Sequence, residues 1–94
     1  MNIQQSEDGN QGNFYIEENE KQLALLTYKK SGDGVITIDH TEVDSNFRGK
    51  NIGEDLVAEA VKFARENNLK IVPTCPFAKK VIDDKPEFQD VLAN

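Results

Sequence analysis

Phe47, Arg48, Gly49, Lys50, Asn51, Ile52 and Gly53 place two cationic side chains, two glycines and an asparagine just ahead of a segment with helical apolar spacing. These residue types suit anion binding. A helix N-terminus presents backbone N–H groups without intrahelical partners and carries partial positive charge. Glycine lets a bulky anion approach that backbone, and Arg48 and Lys50 add full charges, so the parts of a phosphate seat are present. The same residues also suit a plain helix start. Asn51-Ile52-Gly53-Glu54 has the form of a capping box, with Asn51 as N-cap and Glu54 reaching back to its N–H. Glu54 and Asp55 complement the helix dipole but would repel a close phosphate. The segment is neither G-x-x-x-x-G-K-[ST] nor G-x-G-x-x-G, so neither a nucleoside-triphosphate loop nor a dinucleotide fold is indicated.

Two further residues have the chemistry for catalysis. Cys75, the single cysteine, precedes Pro76, a residue suited to opening a helix. A thiol at a helix start favours the thiolate and can serve as acid or nucleophile. A free cysteine also packs well as a small buried hydrophobe. His40, the single histidine, lies in a β-branched stretch, where it could be a general base, orient Cys75, or be structural. One histidine and one cysteine make no convincing zinc site, and the acidic residues show no metal-ligand spacing, so no metal is expected.

The elements that must position these residues follow from turn signals and periodicity. Residues 6–13 are rich in turn formers and read as a loop. Residues 14–16 read as a short strand, 18–20 as a turn, and 23–28 as a strand, because Thr27 and Tyr28 favour it over a helix. Residues 31–34 form a strong turn signal, and 35–43 are the clearest strand. Simple alternation puts Ile36, Ile38, His40 and Glu42 on one face of that strand, and Thr41 and Val43 on the other. From Ile52 the period is helical, through Leu56, Ala60 and Ala64, with Asn67-Asn68 at the end. Residues 70–72 read as a strand closed by Pro73, and Pro76 and Pro86 open two short helices. The 52–68 helix is a crossover, so the 70–72 strand lies parallel to the 35–43 strand. The expectation is an α/β single domain: antiparallel N-terminal strands, then a parallel strand, with helices packed on a mixed sheet.

At 94 residues, one domain over 1–94 is expected, with 1–13 polar and partly loop. Residues 1–47 carry 9 Asp/Glu and 3 Lys/Arg, whereas 48–94 carry 8 of each, which accounts for the formal charge of -6. That acidity argues against nucleic acid as a partner. No run of about 18 apolar residues is present, so no membrane span is expected. A single cysteine excludes an internal disulfide framework, and the N-terminus lacks signal-peptide features, which together point to the cytoplasm.

The ordered block from Thr41-Glu42-Val43 through Asp44-Ser45-Asn46-Phe47 to Arg48-Gly49-Lys50-Asn51-Ile52-Gly53 resembles the acetyl-CoA motif of the GNAT (N-acetyltransferase) superfamily. Its members commonly show V-x-P-x-[YF]-R-G-x-G-[IV]-G after a long strand; here the run is V-D-S-N-F-R-G-K-N-I-G. Cys75-Pro76-Phe77 and the later Lys85-Pro86-Glu87-Phe88 resemble a compact GNAT-like family of about this length. The resemblance covers about residues 13–92. It implies a truncated GNAT-like fold with acetyl-CoA or CoA as ligand. Arg48, Gly49, Lys50, Asn51, Ile52 and Gly53 would hold the pyrophosphate, and the backbone of Glu42 and Val43 would pair with pantetheine. Cys75 would lie near the thioester, as the acid for the departing thiolate or as an acetyl acceptor. The implied activity is acetyl transfer to an amine, on a small molecule or a protein. The alternatives are a CoA-binding sensor or adaptor without turnover, or an interaction domain whose loop only caps a helix. Two positions depart from the pattern: Asn51 replaces a glycine and Ser45 a proline.

Overall fold

Turn chemistry builds the N-terminal part of the chain. The computed structural model describes residues 2–47 and 51–93. Four strands follow one another antiparallel: β1 (Gln4–Asp8), β2 (Gln11–Glu18), β3 (Lys21–Gly32) and β4 (Val35–Val43). Two-residue loops join them. Gly9 (φ 64°), the pair Asn19 and Glu20 (φ 51° and 64°) and Gly34 (φ 73°) supply the left-handed backbone such loops need. Helix α1 (Ile52–Glu66) then crosses over, and β5 (Lys70–Pro73) pairs parallel with β4, with Val35 opposite Lys70 and Ile38 opposite Pro73. The strand order β1-β2-β3-β4-β5 is the expected mixed sheet. Helix α2 (Pro76–Asp84) and a 3-10 segment (Pro86–Val91) complete it. Among the described residues no helix is long and apolar enough to cross a membrane.

The structure corrects the reading of residues 6–13. Only Gly9 and Asn10 form a turn; the flanking residues pair as β1 and β2. Every residue of β1 is exposed, so this edge strand has no apolar alternation to reveal it. Polar contacts hold it instead. The buried Tyr28 hydroxyl donates to Glu7 at 2.5 Å and accepts from the Gln5 amide at 2.8 Å, and Lys30 pairs with Glu7 at 3.3 Å. Gly12 makes room here, because a Cβ on it would stand 2.4 Å from Cζ of Tyr28.

One core joins sheet to helices. Phe14, Ile16, Leu26, Tyr28, Ile36, Ile38 and Ile71 pack with Leu56, Val57, Ala60, Val61 and Ala64, the predicted apolar stripe of α1. At its C-terminus Asn68 takes φ 56°, and the Leu69 N–H bonds to the Ala64 carbonyl at 2.8 Å, closing the helix as the asparagine pair suggested. The C-terminal segment covers the β5 edge. Leu92 bridges to Ile71, and Ala93 donates to the Ile71 carbonyl at 2.9 Å.

A second correction concerns β4. The β3–β4 register shifts between Thr27 and Tyr28: Tyr28 faces Ile38 but Thr27 faces His40, so Asp39 is an extra, bulged residue. Beyond it Thr41 stands opposite the buried Leu26, and Val43 opposite the buried Ala24. Cross-strand partners share a face, so Thr41 and Val43 join the helix-covered face with Ile36 and Ile38. His40 and Glu42 turn to the other face, the reverse of simple alternation.

Candidate functional site

β4 and β5 part where Pro73 ends their ladder. Proline has no N–H to continue the pairing, and the last partners are Ile38 and Pro73. The chain is then drawn off the sheet by one acceptor. The Ile38 carbonyl receives the Thr74 N–H at 3.0 Å, the Cys75 N–H at 3.1 Å and the Thr74 hydroxyl at 3.2 Å. Pro76 opens α2 directly afterwards, with Cys75 as its N-cap. β4 meanwhile runs on to Val43.

A cleft of about 440 Å³ lies in the space this opens. Thr41, Glu42 and Val43 form its β4 wall; Asn51, Ile52, Gly53 and Glu54 bring the start of α1; Phe47 and Phe77 close the sides. Of the residues expected to bind an anion or cofactor, the structure therefore brings together Glu42, Val43, Asn51, Ile52 and Gly53. Arg48, Gly49 and Lys50 lie outside the described residues.

The start of α1 is not built as a capping box. Asn51 occupies the N-cap position with φ 59° and ψ 22°, a left-handed conformation, and its side chain makes no capping hydrogen bond. Side-chain capping normally requires an extended N-cap residue. Asparagine is nonetheless one of the few residues that tolerate this backbone, which explains how it serves in place of glycine. Gly53 is needed for a different reason. A Cβ there would stand 2.7 Å from Cζ of Phe77, whose ring lies against the first turn of α1. Phe77 is 42% exposed, the one large apolar side chain so exposed among the described residues. Glu54, the acid at the mouth, is 4.0 Å from the Lys85 ammonium, which offsets part of its charge.

Cys75 is a free, buried thiol whose Sγ lies 3.5 Å from the Thr41 hydroxyl. His40 is exposed on the opposite face, 3.3 Å from the Glu42 carboxylate. The structure does not bring His40 to Cys75, because the bulge at Asp39 reverses the faces beyond it and turns Thr41, not His40, toward the thiol. Three cleft residues had no assigned part in the sequence: Thr41, Phe47 and Phe77. All three sit inside segments already singled out, but simple alternation put Thr41 on the wrong face, and only the bulge turns it inward.

Comparison with known proteins gives a consistent result. Residues 13–91 match the family model for GCN5-related N-acetyl-transferase. Protein NATD1 of Xenopus tropicalis is 35% identical over 63 residues, covering 67% of this chain and 58% of that protein. Its Homo sapiens counterpart is 33% identical over 63 residues, covering 67% and 56%. The chain thus spans less than two thirds of the length of these curated relatives. The solution structure of a GCN5-like protein from Staphylococcus aureus superposes with a TM-score of 0.76 at 36% identity, covering 99% of this chain and 90% of that one. A Bacillus anthracis protein solved with acetyl coenzyme A shares the fold at a TM-score of 0.62 and 23% identity, over 79% of this chain and 47% of that one.

Proposed function

The chain belongs to the GCN5-related N-acetyltransferase family, and from that premise we propose that it binds acetyl-CoA in the cleft where β4 and β5 part and transfers the acetyl group to an amine. The observation that carries this is the meeting, in one cleft, of the parted strand, the first turn of α1 and apolar walls. An anionic ligand with a long, thin, partly apolar arm needs all three. Arg48, Gly49, Lys50, Asn51, Ile52 and Gly53 seat the pyrophosphate at the helix start, where backbone amides and partial positive charge favour it. The arm runs along the backbone of Glu42 and Val43, between Ile52 and Phe77. The acetyl-CoA complex of the Bacillus anthracis protein of the same fold supports the choice of ligand.

Transfer requires a neutral amine to attack the thioester carbon and a proton for the departing thiolate. The β4–α2 corner holds the one thiol of the chain, Cys75, which suits it to supply that proton. The exposed His40 and Glu42 lie across the sheet from that thiol, so we assign them no proton transfer to Cys75.

An amide NMR titration with CoA, with ATP as a control for generic phosphate effects, tests the site. Saturable shifts at residues 49–53 and 42–43, with CoA preferred, are expected. Equal shifts with both ligands reduce the site to a generic anion seat, and no shifts remove it. Release of free thiol from acetyl-CoA in the presence of primary amines then separates a transferase from a CoA-binding adaptor.

A further inference from the structure

Cys75 does not itself line the cleft described above; Thr41 does, and it stands between the cleft and the thiol. Cys75 is only 7% exposed, and among the described residues its thiol donates to the Thr41 hydroxyl at 3.5 Å. Three independent features of the chain create this arrangement. The bulge at Asp39 turns Thr41 to the inner face. The end of the β4–β5 ladder leaves Thr41 beside the parted strands rather than under a partner in β5. The Ile38 carbonyl, by holding the Cys75 N–H, fixes the thiol next to β4.

Resting on the acetyl-transfer reading above, we infer that Thr41 is the group that meets the reacting thioester and that Cys75 acts through it. A hydroxyl can accept one hydrogen bond while donating another. Thr41 therefore accepts from the Cys75 S–H and donates into the cleft. As the amine nitrogen bonds to the acetyl carbon, the carbon–sulfur bond of the thioester breaks. The departing sulfur takes the Thr41 hydroxyl proton while Thr41 takes the Cys75 proton. The proton released by the nitrogen returns through water to the Cys75 thiolate, so the protein ends unchanged and the products are the amide and free CoA. A β-branched residue suits this position, because its stiff χ1 holds the hydroxyl in one direction.

The test compares Thr41→Val, which keeps the shape and removes the hydroxyl, with Thr41→Ser, which keeps the hydroxyl. The probes are CoA for binding, and acetyl-CoA with n-butylamine for thiol release. Loss of a positioned proton donor is worth about 100-fold or more. Thr41→Val should therefore lower kcat by about 100-fold or more with CoA affinity little changed, and Thr41→Ser should recover most of the rate. Equal rates in wild type and Thr41→Val overturn the role of Thr41 and leave the acetyl-transfer reading standing. A loss in Thr41→Val that appears only in CoA affinity, or that serine fails to recover, also overturns it, since packing alone accounts for that. CoA binding without any thiol release by the wild type overturns both, and absence of CoA binding removes the site itself.

Discussion

Replacing Tyr28 with phenylalanine should destabilise the domain near neutral pH and lose that effect in strong alkali. The Tyr28 ring is 1% exposed and packs in a triangle with Phe14 and Phe63, with centroids 5.5 and 5.6 Å away. Phenylalanine keeps that packing and removes only the hydroxyl, which joins β1 to β3 through Glu7 and Gln5. A hydrogen bond to a charged group is worth about 1.5–3 kcal/mol. Glu7 is 34% exposed and rehydrates when released, so the low end, about 1–1.5 kcal/mol, is expected at pH 7. For a domain of this size that lowers Tm by roughly 4–10 °C. The Tyr28 hydroxyl, with Lys30, holds the Glu7 carboxyl below its usual range. Its contribution is therefore present at neutral pH and lost as pH falls through the depressed value, which narrows the gap in acid. Burial, then the Glu7 carboxylate, pushes the Tyr28 phenol up to about 12 from its ordinary 10.0. The wild type is fully stabilised below pH 10 and loses that stabilisation as pH rises towards 12. Two pH units correspond to about 2.7 kcal/mol, and solvent at the Glu7 side trims this to about 1–2 kcal/mol. The two stability curves should thus converge between about pH 10 and 12. Urea unfolding of both proteins from pH 4 to 11.5 measures the difference, in which all shared groups drop out. A gap that stays constant between pH 7 and 11.5 would refute the reasoning.

Other perturbations test the site and the chain end. Asn51→Gly should leave stability equal or raise it by up to about 1 kcal/mol, because glycine adopts φ 59° without strain. Asn51→Val should cost about 1–2 kcal/mol by urea unfolding, and equal stability of the two variants would contradict the left-handed geometry. Gly53→Ala should swing the exposed Phe77 ring away from α1 and weaken CoA binding while the fold persists; an unchanged ring environment by NMR would count against that contact. Arg65, bonded to the Asp90 carboxylate and the Glu87 carbonyl, ties the 3-10 segment to α1. Arg65→Ala should speed hydrogen exchange at Ala93, whose N–H bonds to Ile71, and unchanged protection would show that the tie is dispensable. Acetyl-CoA at 100 times Kd should add about 2.7 kcal/mol, a rise in Tm on the order of 10 °C, and no shift at millimolar ligand would oppose the proposed site.

Local chemistry made much of this molecule legible from its sequence. The β-branched run 35–43, the apolar stripe from Ile52 to Ala64, the closing asparagines and the proline at 73 are short-range signals, and the β4–α1–β5 crossover they define is the one observed. Asn51, Ile52 and Gly53, marked by the same short-range chemistry, do line one end of the cleft. β1 escaped because an edge strand exposed on both faces needs no apolar residues; its stability comes from the ladder with β2 and from Tyr28, 21 residues beyond Glu7. The faces of β4 escaped because a bulge is a property of two strands together: one extra residue against β3 reverses every side chain that follows. The sequence by itself thus determined β2 to β5, the helices and their order, and it marked the start of α1 that lines the cleft. Only the tertiary structure decided that His40 faces away from Cys75 and that Thr41 stands between the thiol and the cleft, because pairing across strands, and not position along one, sets which side chains meet.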